Sequence, residues 1–368
     1  MTIYIHQYPG WPDFHWDQNK LFTLLSEVRF QQGKLLGGME SLGFNLQSEA
    51  SLETLTLEVV KSSEIEGEIL NAEQVRSSIA RRLGMDVAGL VPSDRNVDGI
   101  VEMMLNATPS YQEKLTDERL FGWHSSLFPS GRSGMYKIVT GAWRNNTKQD
   151  PMQVVSGAIG REKVHFQAPD SELIGDEMER FLKWFNAPKT IDPVLKAGIA
   201  HLWFVTIHPF DDGNGRIARA ITDMQLARAD ETAQRFYSMS AQIRLERNKY
   251  YSMLEASQKG TLDITELLEW FLQCLGRALA ATDQILASVM RKSRLWNDPD
   301  AQSLNDRQKL MLNKLLENFE GKLTSAKWSK MAKCSQDTAV RDIQNLIEKG
   351  ILMKEHAGGR STSYVLKG

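Results

Sequence analysis

Cysteine is almost missing. Cys274 and Cys334 are the only two in 368 residues. They form no CxxC pair, and two distant thiols build no disulfide framework. A dithiol redox motif and a disulfide-stapled secreted fold are therefore excluded, and a reducing, intracellular setting is expected. Long apolar runs are missing too: none approaches the ~18–20 residues that cross a bilayer. The opening Met1-Thr2-Ile3-Tyr4-Ile5-His6 has neither the basic start nor the apolar run of a signal peptide. The expectation is a soluble cytoplasmic protein with no membrane partner. Net charge is also small, formally -2, so the chain as a whole is no polycation shaped for nucleic acid. Its distribution is uneven, however. Residues 301–368 carry 12 Lys+Arg against 7 Asp+Glu, which is +5, leaving -7 for the rest. The two parts are expected to meet different partners. Repeats and low-complexity tracts are absent.

What is present is ordinary globular material: 42% hydrophobic and 24% charged residues, in a chain long enough for two or three domains. Helical spacing dominates, so the expected fold class is mainly α. Residues 19–36 read as a helix stopped by Gly37-Gly38. Residues 50–80 read as helix interrupted near Gly67, and residues 117–127 as helix stopped by Pro129. Between 131 and 169 glycines and β-branched residues alternate with polar ones, which predicts a short β-hairpin. Ser171 is the expected N-cap of the next helix, whose apolar stripe is Ile174, Met178, Phe181, Leu182 and Phe185. Residues 194–207 are apolar nearly all round, as in a central buried helix. That helix must end before Pro209, and residues 216–229 restart as helix. A polar stretch, 291–306, reads as a linker.

The chemistry concentrates in His208-Pro209-Phe210-Asp211-Asp212-Gly213-Asn214-Gly215-Arg216. Gly213 and Gly215 permit backbone angles that turn successive N–H groups inward, and the following helix adds its own unpaired N–H groups and positive dipole end. Such a loop suits phosphate. Arg216 and Arg219, three apart, share a helix face and can reach phosphate oxygens. Asp212 offers a hard oxygen ligand for Mg²⁺, and His208 can take a proton from an attacking hydroxyl. Phe210 reads as core packing that anchors the loop, Asp211 as solvated or supporting. His201, one heptad before His208, reads as a satisfied interior histidine, since no third ligand stands at zinc-like spacing.

The residues from His208 to Arg219 resemble the signature of the Fic family, His-Pro-Phe-x-Asp/Glu-Gly-Asn-Gly-Arg-x-x-Arg, at every position. Gly141-Ala142-Trp143-Arg144 is similar to a short family element. Residues 152–169, with Val154, Val155, Ser156 and Gly157, resemble the flap hairpin that docks the target. The opening segment, with Trp11, Phe14 and Trp16, is similar to the helical N-terminal region of bacterial Fic proteins that end in a winged helix. The resemblance implies a Fic-type helical bundle that transfers AMP from ATP to a Ser, Thr or Tyr hydroxyl of a target protein, and to itself, releasing pyrophosphate. It implies His208 as general base and Asp212 as the Mg²⁺ ligand. Gly213, Asn214 and Gly215 would form the anion hole, Arg216 would contact the phosphates, and Arg219 would hold the γ-phosphate. ATP binding would extend over Phe210 and Asp211, with Tyr251, and by a looser match Gln258, beside the adenine.

Ser62-Ser63-Glu64-Ile65-Glu66-Gly67 fits the family's inhibitory motif, Ser/Thr-x-x-x-Glu-Gly/Asn, at Ser62, Glu66 and Gly67. The resemblance pairs Glu66 with Arg219, where a carboxylate competes with the γ-phosphate. The same glutamate would also serve hydrolytic removal of AMP. The expected organisation is an N-terminal helical region, 1–108, with an inhibitory helix at about 50–70; a catalytic domain, 109–290; and a winged helix-turn-helix domain, 300–368. The last rests on three short helical patterns, a turn at Gly358-Gly359-Arg360 and two strand-like runs. Arg341, Lys349 and Arg360 make DNA or a protein its expected partner. A homodimer is expected from N-terminal aromatics that need burial. Two competing readings stand beside AMP transfer: Fic-like transfer of another group, and a nucleotide-sensing DNA-binding regulator without transfer activity.

Overall fold

The computed structural model describes residues 3–85, 89–157, 161–188, 191–296, 303–316, 319, 321–355 and 362–367. The chain divides into two compact units: Met1–Leu83 with Pro92–Thr282, and Gly84–Val91 with Asp283–Gly368.

In the first unit the helices are α1 (Gln18–Glu40), α2 (Phe44–Ile65), α3 (Ala72–Arg82), α4 (Arg95–Ala107) and α5 (Asp117–Leu127). Two antiparallel pairs follow, β1 (Arg132–Ser133) with β2 (Tyr136–Lys137) and β3 (Gln153–Ser156) with β4 (Lys163–Gln167). Then come α6 (Ile174–Asn186), α7 (Pro193–Ile207), α8 (Asn214–Asp230), α9 (Met239–Leu245), α10 (Arg247–Gln258) and α11 (Thr265–Trp296), of which the part to Thr282 belongs here. The fold is mainly α with small hairpins.

The centre is α7. Every residue from Pro193 to Ile207 is buried, as the all-round apolar pattern requires. Asp192 caps it by accepting from Val194 N at 2.8 Å, with Pro193 at the first helical position, where a missing N–H costs nothing. α8 lies against α7 and is buried over most of its length; α2, α4 and α5 also pack on α8, and α6 packs on α7. His201 is satisfied inside this core by Thr222 Oγ1 and Tyr250 Oη, both at 2.9 Å.

Four sequence expectations change. α1 runs through Gly37-Gly38 to Glu40. Each glycine costs about 1 kcal/mol in a helix, and burial of Met39 in the core keeps the turn helical. Ser171 is no N-cap: its hydroxyl donates to Asn146 O at 2.6 Å, and a 3-10 turn, Ser171–Leu173, leads into α6. The stretch 291–306 is not all linker, because α11 continues to Trp296; residues 297–302 lie outside the described residues. Of the N-terminal aromatics, Trp11 is covered within the chain, while Phe14 and Trp16 are half-buried. Trp11 packs edge-on against Phe14 and Trp203, and its indole N–H donates to Glu177 at 2.8 Å, so Trp11 needs no second copy of the chain to bury it.

The second unit contains α12 (Asp306–Leu316), α13 (Ser325–Met331), α14 (Gln336–Glu348) and the antiparallel ribbon β5 (Leu352–Lys354) with β6 (Tyr364–Leu366). Its core is built on Met311, Leu323, Trp328, Ile343 and Leu346. The expected turn at Gly358-Gly359-Arg360 lies outside the described residues.

Candidate functional site

α7 delivers His208 in left-handed geometry, with φ at 53°. For a residue with a Cβ this costs about 1–2 kcal/mol, so its surroundings must hold it. They do. His208 N–H donates to Phe204 O at 3.0 Å, and its carbonyl accepts from Arg144 Nε at 2.7 Å. Arg144 is buried and also donates to Pro169 O at 2.6 Å and to Asn146 Oδ1. Burial holds its guanidinium down at about 10. The Gly141-Ala142-Trp143-Arg144 element is thus a brace for the loop backbone. His208 Nδ1 lies 3.2 Å from Val205 O. A carbonyl only accepts, so Nδ1 carries the proton and Nε2 keeps its lone pair. Burial is the main cause that lowers this imidazole to about 4, so it is neutral at pH 7.

Asn214 closes the loop on itself. Phe210 N–H donates to Asn214 Oδ1 at 3.0 Å, and Asn214 Nδ2 donates to Phe210 O at 2.8 Å. Phe210 is fully buried and stacks on His124, centroids 4.2 Å apart. Asp211 accepts from Val139 N–H at 2.8 Å, which ties the segment after β2 to the loop. Asp212 accepts from Gly213 N–H at 2.5 Å and from the Ser133 hydroxyl. Gly213, with φ at 80°, starts α8; a Cβ there would meet Phe128 Cε2 at 2.9 Å. At Gly215 a Cβ would collide with Glu66 Oε1. The carboxylate of Glu66 therefore lies directly on the N-terminal turn of α8, where unpaired N–H groups attract anions.

Glu66 caps the end of α2. Its Oε1 is 2.8 Å from Arg219 NH1, and Arg219 also donates through Nε to Ser62 Oγ at 2.9 Å and through NH2 to Ser62 O at 2.8 Å. Arg219 is 2% exposed. Burial is the largest cause and pulls its guanidinium down, but the charge and hydrogen bond of Glu66 together with Tyr250 and Tyr251 outweigh it, and the net direction is up. Gly67, at φ 87°, makes the turn. One residue later Glu68 Oε2 accepts from Arg216 NH1 at 2.7 Å, and Arg216 lies over the Phe128 ring. Both arginines are thus occupied by the same turn after α2. Tyr251 Oη donates to Ile65 O at 3.2 Å and to Glu66 Oε2 at 3.3 Å, and Arg247 Nε donates to Ile65 O at 2.7 Å. Gln258, buried, donates to Val205 O at 3.4 Å.

The hairpin β3–β4 pairs Val154 with Phe166 and Val155 with Val164, which leaves His165 bulged between the two pairs. Val155 and Ser156 are exposed. Gly157 has φ at 112°, and a Cβ there would meet Arg161 O at 2.9 Å.

Three residues of this constellation escape sequence reasoning: Glu68, Ser133 and His124. His124 accepts from Gly141 N–H through Nδ1 at 3.1 Å and so donates through Nε2 to Asp212 O at 3.2 Å. Burial is the main cause that lowers it to about 4. Among the described residues no group of three or more His, Cys, Asp or Glu side chains is placed to hold a metal ion alone, and no helix is long and apolar enough to cross a membrane.

Comparison with known proteins gives the following. Residues 114–226 match the Fic/DOC family, and residues 4–85 match a domain of unknown function, DUF4172. The chain is 36% identical over 104 residues to a protein named protein adenylyltransferase Fic from Drosophila yakuba, covering 28% of this chain and 19% of that protein. The same name, identity and coverage apply to a Culex quinquefasciatus relative. The chain therefore spans about a fifth of the length of these curated relatives. A crystal structure of a Fic family protein from Desulfovibrio desulfuricans shares the fold at a TM-score of 0.53, with 20% identity, over 96% of this chain and 98% of that one. A Fic domain containing signaling protein from Bacteroides thetaiotaomicron does so at 0.52 and 19% identity, over 73% of this chain and 97% of its own. With the loop from His208 to Arg219 set between α7 and α8, and a Fic/DOC match that encloses it, residues 114–226 of this chain are a Fic/DOC family domain.

Proposed function

We propose that this protein transfers AMP from ATP to a hydroxyl group of a protein, and that Glu66 holds the site off by default. The observation that carries the reading is the position of one carboxylate. Glu66 Oε1 sits against Gly215 on the first turn of α8 and pairs with Arg219, so a carboxylate fills a place whose N–H groups and guanidinium suit a phosphate. The name carried by relatives at 36% identity supports the choice of AMP as the transferred group.

In the active state the substrate hydroxyl attacks the α-phosphate, His208 Nε2 takes its proton, and pyrophosphate leaves. The Gly213–Gly215 backbone and Arg216 stabilise charge on the phosphates, and Arg219 holds the terminal one. Positioning and charge do most of the work in phosphoryl chemistry. Asp212 is the residue to hold Mg²⁺: a single protein carboxylate completed by nucleotide oxygens and water fits a site without a dedicated cage. The ion would neutralise phosphate charge. Tyr251, beside Glu66, is suitably placed to border the nucleotide once that carboxylate swings out.

Mass spectrometry after incubation with Mg-ATP tests the reading. An AMP adduct on the protein itself or on added protein is expected, and His208→Ala should reduce its formation by a factor of about 10²–10⁴, the worth of a general base. Bound nucleotide with no adduct on any protein would reject transfer in favour of nucleotide sensing.

The second unit has the element order of a winged helix, and Arg341 is exposed on α14. We infer a docking role for it, with duplex DNA as the first ligand to try. Binding that weakens as salt rises would support it; no binding at low salt would favour a protein partner.

A further inference from the structure

α2 and α8 meet rung by rung. Glu58, Ser62 and Glu66 follow one another four residues apart, on one face of α2 and at its end. Gly215, Arg219 and Asp223 do the same on α8. The two series run antiparallel. Glu66 lies on Gly215 and Arg219, Ser62 binds Arg219, and Glu58 is the hydrogen-bond neighbour of Asp223. The first two rungs hold Glu66 and Ser62 on the phosphate loop. The third sets a carboxyl against a carboxyl.

Both groups are buried, Glu58 at 3% exposure and Asp223 at 2%. Each spends one oxygen on other neighbours. Glu58 Oε2 accepts from Ser238 Oγ at 2.6 Å and from Ser240 N–H at 3.0 Å; Asp223 Oδ1 accepts from Arg235 Nη2 at 3.0 Å. Among the described residues, no other donor reaches the remaining oxygens, Glu58 Oε1 and Asp223 Oδ2. Both carboxyls line one small cavity. Two buried carboxylates so placed repel each other, and one proton between them turns the repulsion into a hydrogen bond.

The cations nearby are committed elsewhere. Arg235 is divided between Asp223 and Asp230, at 3.0 Å from each, and Arg219 is taken by Glu66. The titratable groups that face the pair from the other packed helices are His201 on α7, Tyr250 on α10 and Cys274 on α11. Burial keeps all three neutral: it lowers His201 to about 3 and raises the phenol and the thiol. Burial, first, and then the charge of Glu58 push the Asp223 carboxyl well above the usual carboxylate range, against the pull of Arg235.

We propose that Glu58 and Asp223 share one proton, and that this positioning pair holds α2, and with it Glu66, against the phosphate loop. The inference rests on the AMP-transfer reading and names a regulator of the same site, the proton. A carboxyl whose folded value is raised keeps its proton up to that value, so the rung is intact on the acid side and is lost as pH rises through it. Once the proton has passed to solvent, two like charges face each other across α2 and α8. α2 is pushed away, and Ser62 and Glu66 leave Arg219. Base therefore releases the brake.

The test follows two readouts on the full chain between about pH 7 and 9: hydrogen exchange at peptides from the end of α2, and AMP incorporation from Mg-ATP. Glu58→Gln offers an amide N–H to Asp223 at every pH, so its rung does not open. Dividing wild-type exchange by that of Glu58→Gln cancels the intrinsic pH dependence of exchange. The ratio should rise with pH, by up to about tenfold per unit, the limit for one proton. The same ratio for AMP incorporation should rise with it, and should rise less in a Glu66→Gly background, where the main contact of the brake is gone. His208 is lowered to about 4, so the base itself adds no slope in this range. Asp223→Asn repeats the comparison from the other helix. An exchange ratio that stays flat against both variants would overturn the proposal, and adducts formed in the same samples would leave AMP transfer standing. An incorporation ratio equally steep with and without Glu66 would overturn it too, because the pair would then act apart from the brake. A rising exchange ratio with no adduct on any protein would support the shared proton and reject the transfer reading.

Discussion

Arg219 and Arg216 face the same short piece of chain, and each has taken a different glutamate from it. Glu66 holds the first and Glu68 the second. Removing Glu66 alone frees Arg219 but leaves Arg216 engaged. Glu66→Gly should therefore raise incorporation of labelled AMP at least tenfold, a factor worth about 1.4 kcal/mol. Glu66→Gly with Glu68→Gln should exceed it. A double variant no faster than the single one would show that Glu68 leaves whenever ATP arrives. Loss of Glu66 also strands a buried guanidinium. The expected cost is on the order of 2 kcal/mol, below that of a fully buried pair because Glu66 keeps solvent contact. Mg-ATP should restore the lost thermal stability; an unchanged melting temperature without nucleotide would mean that Ser62 alone satisfies Arg219. The sequence reveals Glu66 only through a short motif and does not reveal Glu68. Partners 148 residues apart leave no local spacing to find. His208 to Arg219 is legible because its groups lie on one loop and one helix turn. His124, which reaches Asp212 across 88 residues, has no such signature.

Elements that follow from burial are the legible ones. α7 is apolar on all sides and is buried on all sides; α5 ends at Leu127, two residues ahead of Pro129. Elements whose ends depend on packing are not. α1 crosses two glycines because Met39 is anchored beyond them. The meeting of α4 and α5 is a further case. Gly99 lies against the backbone of Ser126, and a Cβ would fall well inside the van der Waals radius of Ser126 O. Helix propensity favours Gly99→Ala by up to about 1 kcal/mol. The clash is with backbone, which cannot rotate away, so the opposite sign is expected: destabilisation of about 1–3 kcal/mol. Urea unfolding measures it, and a stabilised variant would show that α4 and α5 slide apart freely. Since α5 carries His124 and α8 packs on both helices, activity should fall with stability.

At the scale of the whole molecule, acid works against the fold through its buried histidines. His6, His124 and His208 are each lowered to about 4 and His201 to about 3, in every case chiefly by burial. Between their folded values and about 6.5 the unfolded chain binds more protons than the folded one, so stability rises with pH across that window and falls as pH drops through it. Each histidine contributes at most about 1.4 kcal/mol per pH unit there. The urea midpoint should therefore drop between pH 6.5 and 4, and more steeply than in His201→Gln protein. A flat profile would place these rings in contact with water.

The contact between Glu66 and the first turn of α8 has a consequence for how this protein can be switched on. On the reading proposed above, the competitor is part of the chain, so dilution cannot remove it, and it acts at an effective concentration fixed by the fold that holds the end of α2 against that turn. ATP meets it as an intramolecular rival of the same strength at every protein concentration. Rising ATP alone shifts the balance only in proportion. A partner that grips the end of α2 and lengthens the path from Ile65 to Arg219 lowers the rival's concentration steeply, and so acts as an on-signal without touching the nucleotide.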